Sequence, residues 1–459
     1  MFERSDSKAI IYKDKIYTYK DLEDFTQLLI QHTDSNELIV HLTNSSFESI
    51  GAYIGFLKNK RPQLLLQENI NEEFLKNILK NYKPRYIYLP KGYKFTYKKV
   101  AEFEEYCLLK TDYKKDYQIN KNLALLLSTS GSIGIPKCVI QSFKNIYSNA
   151  LAIKEYLQIK SDDAAITTLP TNYTFMLSII HSHIISGASI VAVKESIMQK
   201  EFWESLKKHK VTSISGVPFT FEMLKKLRFE RMKLDSLRYI TQAGGKLSNE
   251  LIKYFYSICK EKGVKFIVMY GQTEATARIS YLPYKYLPQK IGSIGIPIPG
   301  GKMWIEDDEG KKITKPNTEG ELIYSGDNVT LGYASSCYDL AKEDEFKGIL
   351  KTGDLAMFDE DGFFYITGRK KRFVKIYGNR ISLDELEKIL KKNEYECIVS
   401  GNDEKIKLYC LDDKKDEIIT LLSKSIKQNK KIFEFKKVDK ILRNSAGKVL
   451  YKEMENIYG

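Results

Sequence analysis

"LLLSTSGSIGIPKCVIQS", Leu125 to Ser142, opens on apolar residues, turns through small hydroxyl residues and two glycines, and then meets one lysine, Lys137. The lead-in "LALLL" reads as a strand. Thr129, Ser130 and Ser132 offer hydroxyls, and Gly131 and Gly134 let the backbone fold close to an anion. Successive backbone amides and a lysine can hold phosphate oxygens. The stretch is not a GxxxxGK[ST] loop, because Pro136 precedes Lys137 and no Ser or Thr follows it. Taken alone it also reads as a Ser/Gly-rich turn with an exposed lysine, so its neighbours must decide.

Outward from this stretch, short apolar runs alternate with amphipathic ones. "ELIVHL", "PQLLL" and "RYIYL" read as strands, and "ESIGAYIGFLKNK" and "NEEFLKNILKNY" as helices. Such alternation implies parallel strands with crossover helices, and it continues to "KFIVMYG". From about residue 290 to 367 the texture changes to short strands between Gly, Pro and Asp turns, which predicts a small β-barrel or antiparallel subdomain. After "GRKKRFVKIYGNR" comes a smaller α+β segment, with a helix near "SLDELEKILKKN". The best boundary falls at Gly368 to Lys371.

The chain has 459 residues, 43% of them hydrophobic, enough for a sizeable core. Its net charge of +14 fits either an acidic partner or lysines spread over solvated faces. The even spread favours the second, and no segment reads as a nucleic-acid-binding motif. Six scattered cysteines form no CxxC pair, which points away from a metal site or a disulfide framework and toward a reducing cytoplasm. The charged N-terminus lacks the apolar core of a signal peptide. "FMLSIIHSHIISGASIVAV" is the most apolar stretch, but its histidines and Ser-Gly turn predict a buried helix and then a strand, not a membrane span. His181 and His183 stand at i, i+2, a spacing that does not suit a shared metal on one helix face.

"TSGSIGIPK" resembles the phosphate loop of the adenylate-forming ligases, the superfamily of acyl-CoA synthetases, peptide-synthetase adenylation domains and luciferase. Ile133 departs from it, standing where the family usually has a hydroxyl. Further motifs follow in the family's order. "QAGGKL" resembles the adenine turn, with Gly244 and Gly245 against the base. In "MYGQTEA" the resemblance implies that Tyr270 stacks on adenine, Thr273 bonds the α-phosphate and Glu274 helps hold Mg²⁺. The residue types suit those tasks: an aromatic face packs a base, and a carboxylate is a hard ligand for magnesium. "GSIGIPIPG" and "GELIYSGDNVTLGY" resemble structural motifs of the family. In "KTGDLAMFDEDGFFYITGRKKRFVKIYGNRI", Asp354 is implied to accept both ribose hydroxyls, as a carboxylate can, and Arg369 to reach the nucleotide. "LRNSAGKVLYKEM" resembles the C-terminal lysine loop, which makes Lys448 the catalytic lysine. Leu442, Asn444 and Tyr451 depart from that loop's usual Pro, Thr and Arg.

The resemblance, spanning roughly Thr18 to Lys452, implies an α/β fold: a large N-terminal domain of two parallel α/β subdomains plus the small β-barrel, over residues 1–369, and a small mobile α+β lid over 370–459. It implies two steps. A carboxylate attacks the α-phosphorus of MgATP and expels pyrophosphate, with Lys448 stabilising the charge that builds. A phosphopantetheine thiol then takes the acyl group and AMP leaves. Between the steps the lid would turn about Lys371, removing Lys448 and bringing the loop at Gly378 to line a thiol tunnel.

Tyr173, Thr174, Phe175, Met176, Gly216, Val217 and Pro218 are the expected lining of the acid pocket, with plain core packing the alternative for the apolar ones. Thr174 stands where peptide-synthetase relatives have an aspartate for a substrate's α-amine. Without that counter-charge, burying an ammonium is costly, which leans against an ordinary α-amino acid. The acceptor thiol could be that of a separate acyl carrier protein or of CoA. The lysine loop leaves no room after it for a fused carrier domain, and a separate carrier protein is preferred. A catalytically inactive nucleotide-binding relative is the rival from another class.

Overall fold

The apolar run after Lys121 forms the strand Leu123–Ser128, set within an eight-stranded sheet of the computed structural model. The structure describes residues 2–128, 137–370, 372–376, 379–426, 428–444, 447 and 449–459. Ile39–Thr43 pairs in parallel with Gln63–Gln67 and Tyr86–Pro90, and Gln63–Gln67 pairs in parallel with Leu123–Ser128. Ile39–Thr43 is buried along its whole length, as a strand covered on both faces must be, and its residues Ile39, Val40 and Leu42 are apolar. Each large apolar side chain buried in this way contributes roughly 1.5–3 kcal/mol.

Leu123–Ser128 pairs antiparallel with Cys138–Ser142, which pairs antiparallel with Gly332–Ala334. Lys137 thus directly precedes Cys138–Ser142, the antiparallel partner of Leu123–Ser128. Residues 129–136, including Thr129, Ser130, Gly131, Ser132 and Gly134, lie outside the described residues.

A nine-stranded sheet carries the rest of the parallel alternation. Lys8–Tyr12, Ser189–Ala192, Ala164–Ile166, Ser213–Gly216, Tyr239–Gln242 and Lys265–Tyr270 run parallel in that spatial order, with short antiparallel strands at both edges. The largest core draws on both sheets and on helices Tyr19–Ile30, Phe47–Lys58, Phe143–Leu157 and Thr174–Ile184. Helix Thr174–Ile184 is buried on every side, as "FMLSIIHSHI" demands. Its two histidines go to different partners. His181 Nε2 meets the Tyr53 hydroxyl, and His183 Nδ1 meets the Ile179 carbonyl.

The chain divides into two units, Met1–Met303 with Tyr324–Leu350 and Trp304–Ile323 with Lys351–Gly459. The short-strand segment forms a five-stranded sheet, in the order Lys312–Ile313, Lys302–Glu306, Gly320–Ser325, Ile349–Phe358, Phe364–Arg369. The α+β segment carries the hairpin Phe373–Ile376 and Asn379–Ser382, helix Leu383–Lys392, and a three-stranded sheet of Cys397–Gly401, Ile406–Cys410 and Phe433–Lys437.

One expectation fails here. The cysteine spacing points away from disulfides, yet Cys397 and Cys410 are bonded. They sit directly opposite on antiparallel strands, with Cα atoms 4.1 Å apart. Strand register, which the spacing of 13 does not reveal, makes them neighbours. Among the described residues no helix is long and apolar enough to cross a membrane.

Candidate active site

Strand Lys265–Tyr270 delivers the chain to the turn Thr273–Ala275. Gly271 makes the fold-back possible, because a Cβ there would lie 1.6 Å from the Ala277 carbonyl oxygen. Polar side chains from elsewhere hold the loop's backbone. Gln141 Nε2 donates to the Thr273 carbonyl at 2.9 Å, and Asn328 Nδ2 donates to the carbonyls of Ala275 and Arg278 at 2.7 and 2.8 Å. The Thr330 amide donates to the Glu274 carbonyl at 2.8 Å. These bonds satisfy a buried irregular backbone, which is otherwise costly.

The loop's side chains make two contacts that the sequence does not announce. Thr273 Oγ1 lies 3.1 Å from Thr174 Oγ1, at the start of helix Thr174–Ile184. Tyr333 donates its hydroxyl to Glu274 Oε1 at 3.1 Å. The same Tyr333 ring lies under Lys137, whose Nζ is 3.8 Å from the ring centroid. Burial first, and then the Glu274 carboxylate, push the Tyr333 phenol above its ordinary pKa, so it stays protonated and donates. Lys137, Tyr333 and Glu274 thus form one continuous contact.

The glycine turn and part of the expected pocket also meet. Gly244 takes a left-handed φ of +81°, and a Cβ there would fall 2.7 Å from the Tyr173 hydroxyl and 3.0 Å from Val217 Cγ1. A Cβ on Gly245 would fall 3.1 Å from Pro218 Cγ. Gln272 Nε2 donates to the Tyr270 hydroxyl at 3.2 Å. Gly244, Gly245, Tyr173, Val217 and Pro218 therefore share one locality. Met176 is fully buried in the core, and Gly216 makes room for Thr220, 2.6 Å from where its Cβ would be. Phe175 is buried with its ring against Arg278.

In the second unit, strand register sets Asp354 opposite Arg369, and Arg369 Nε lies 3.2 Å from Asp354 Oδ1. Asp354 is buried while Arg369 is largely exposed. Arg372 binds Glu387 at 2.7 Å and lies 4.1 Å from the ring centroid of Tyr451, whose hydroxyl donates to Glu387 at 3.0 Å. Tyr451, where the family pattern has an arginine, is thus a packing partner for a cation. Lys371, Gly378 and Lys448 lie outside the described residues. Tyr333, Asn328, Gln141 and Arg278 are the site residues that motif reading missed. Tyr333 closes a quoted motif, but nothing in its spacing tells that it meets Glu274.

A family model described as AMP-binding enzyme matches residues 3–334. The 2-succinylbenzoate–CoA ligase of Bacillus pumilus (strain SAFR-032) is 28% identical over 477 residues, covering 96% of this chain and 93% of that protein. The 2-succinylbenzoate–CoA ligase of Bacillus subtilis (strain 168) is 32% identical over 286 residues, 61% of this chain and 56% of that one. Among solved structures, O-succinylbenzoate coenzyme A synthetase from Bacillus subtilis with AMP superposes with a TM-score of 0.79 at 24% identity, over 98% of this chain and 95% of that one. ATP-bound MatB from Rhodopseudomonas palustris gives 0.77 at 19% identity, over 100% and 97%. The chain belongs to the AMP-binding enzyme family, as an ATP-dependent, AMP-forming acid–thiol ligase.

Proposed function

We propose that this enzyme adenylates a small carboxylic acid with MgATP and passes the acyl group to the thiol of free coenzyme A. The observation that carries the reading is the joined set of Lys137, Tyr333 and Glu274 beside the paired hydroxyls of Thr174 and Thr273. A cation, a carboxylate and a hydroxyl gathered at one loop suit a nucleotide's phosphates. Sequence reasoning ranks a carrier protein ahead of CoA as acceptor. The relatives named as CoA ligases reverse that order, and their names make 2-succinylbenzoate the first acid to test.

In this reading the acid's oxygen bonds to the α-phosphorus and pyrophosphate leaves. The coenzyme A sulfur then bonds to the acyl carbon as the bond to AMP breaks. Thr273 would bond the α-phosphate, with Thr174 fixing its hydroxyl. Lys137, with the residue 129–134 hydroxyls and amides, would hold the outer phosphates, and Lys448 would stabilise the charge that grows in the first step. Tyr270 would pack on the base beside Gly244 and Gly245, and Asp354 with Arg369 would take the ribose. Residues 370–459 would act as a lid hinged at Lys371, with Gly378 lining the thiol's path.

Magnesium fits the donor set. Tyr333 occupies Glu274 Oε1, and among the described residues Oε2 takes no hydrogen bond. Among the described residues no three His, Cys, Asp or Glu side chains form a metal cluster. That suits an ion held by one carboxylate together with substrate phosphates and water. When bound, magnesium neutralises phosphate charge.

The test is exchange of labelled pyrophosphate into ATP over a panel of acids that includes 2-succinylbenzoate, followed by CoA thioester formation. Acid-dependent exchange with thioester formed on free CoA supports the reading. Exchange that yields thioester only on a carrier protein overturns the acceptor, and no exchange with any acid overturns the ligase.

A further inference from the structure

Arg278 is a charged side chain in an apolar place. It is 3% exposed. Its guanidinium carbon lies 4.2 Å from the centroid of the Phe175 ring, and Nε donates to the Met269 sulfur at 3.3 Å, a weak acceptor. The other groups facing it are the tyrosine hydroxyls of Tyr156 and Tyr173. Among the described residues no carboxylate pairs with it. A buried ion without a counter-charge is strongly unfavourable unless something else supplies the charge.

The backbone is built to place it there. Thr276 and Ala277, just before it, have φ of +50° and +100°, a conformation that costs free energy for residues with a Cβ. Thr276 is held by its hydroxyl bond to the Asn328 carbonyl at 2.7 Å. The Arg278 carbonyl accepts from both Asn149 and Asn328, at 3.1 and 2.8 Å. Phe175, on which it stacks, follows Thr174, the partner of Thr273. Tyr173, whose ring is 6.5 Å from that of Phe175, faces Gly244. The cation is therefore embedded among the residues expected to line the acid pocket.

We propose that Arg278 is the counter-ion for a second, non-reacting carboxylate on the acid, which makes the enzyme selective for dicarboxylates. The planar fork of a guanidinium matches a carboxylate in a way that no neutral residue here does. This inference rests on the ligase reading above.

The test uses the full-length enzyme and matched pairs of acids, each dicarboxylate beside its analogue lacking the second carboxylate, with 2-succinylbenzoate among them. Pyrophosphate exchange gives kcat and KM. The wild type should prefer one dicarboxylate over its analogue by at least about 10-fold in kcat/KM. Arg278→Met should raise KM for that dicarboxylate by roughly 100-fold, with the analogue and ATP changing less than about 3-fold, because only one acid loses its partner. Arg278→Lys, which keeps the charge if the Met variant fails to fold, should lie between. Equal losses for both acids would mark Arg278 as a structural prop and overturn the inference, as would a wild type that prefers the analogue. Exchange with no acid at all overturns the ligase reading itself.

Discussion

The hydroxyls of Thr174 and Thr273 lie 3.1 Å apart, joining the first turn of a buried helix to the loop that carries the family's threonine and glutamate. Ninety-nine residues separate them in sequence. Thr174, which the family resemblance aligns with an aspartate of adenylation domains, here touches the threonine proposed to contact the α-phosphate. Thr174→Val keeps the shape and removes the bond, so kcat/KM for pyrophosphate exchange should fall by roughly 3- to 10-fold, the value of one hydrogen bond. Thr174→Ser should restore most of it. An unchanged kcat/KM in the valine variant would deny the contact any part in positioning Thr273.

Tyr333 fixes one oxygen of Glu274 and carries Lys137 on its ring. Chelation of magnesium should abolish pyrophosphate exchange. Tyr333→Phe should raise the magnesium concentration for half-maximal rate several-fold, because the carboxylate is left without its orienting donor. Glu274→Gln should cost about 100-fold in kcat/KM. A magnesium titration of the three proteins decides it, and identical curves for wild type and Tyr333→Phe would refute the orienting role.

Lys448 is assigned to the first chemical step alone. Lys448→Ala should lower acid-dependent pyrophosphate exchange by at least about 100-fold. Thioester formation from supplied acyl-adenylate and CoA should stay within a few-fold of wild type. Loss of both half-reactions together would mean that the lysine is not specific to adenylation.

Three buried imidazoles tie stability to pH. Burial pulls His41 and His183 down to about 4 and His181 to about 3. In the unfolded chain they titrate near the usual ~6.5. Below that pH the unfolded state takes up protons that the native state refuses, so stability falls as pH falls from about 6.5 toward 4. Urea unfolding across that range should show a slope approaching about three protons from these groups. His181→Gln, which can still bond Tyr53, should remove about one of them. A slope unaffected by that change would place the acid sensitivity elsewhere.

Most of the architecture was legible because its signals are local. Largely apolar runs such as Ile39–Thr43 and Leu123–Leu127 fit strands covered on both faces, and the helices between them are periodic. The ordered motifs placed Tyr270, Thr273 and Glu274 at the end of a strand, where the fold holds them. Met176 and Gly216 were legible only as apolar or small; in the fold Met176 is fully buried and Gly216 packs against Thr220.

The sequence by itself determined the fold class and the family, since each depends on residue types at short spacing, and it is the source of the proposed reacting groups. Tertiary structure alone decided which distant groups meet: Thr174 with Thr273, Tyr333 with Glu274, Cys397 with Cys410, and Arg278 with no carboxylate among the described residues. Those pairings depend on strand register and on how helices pack across two sheets. Register and packing follow from the burial of the whole chain, so no single stretch of sequence carries them.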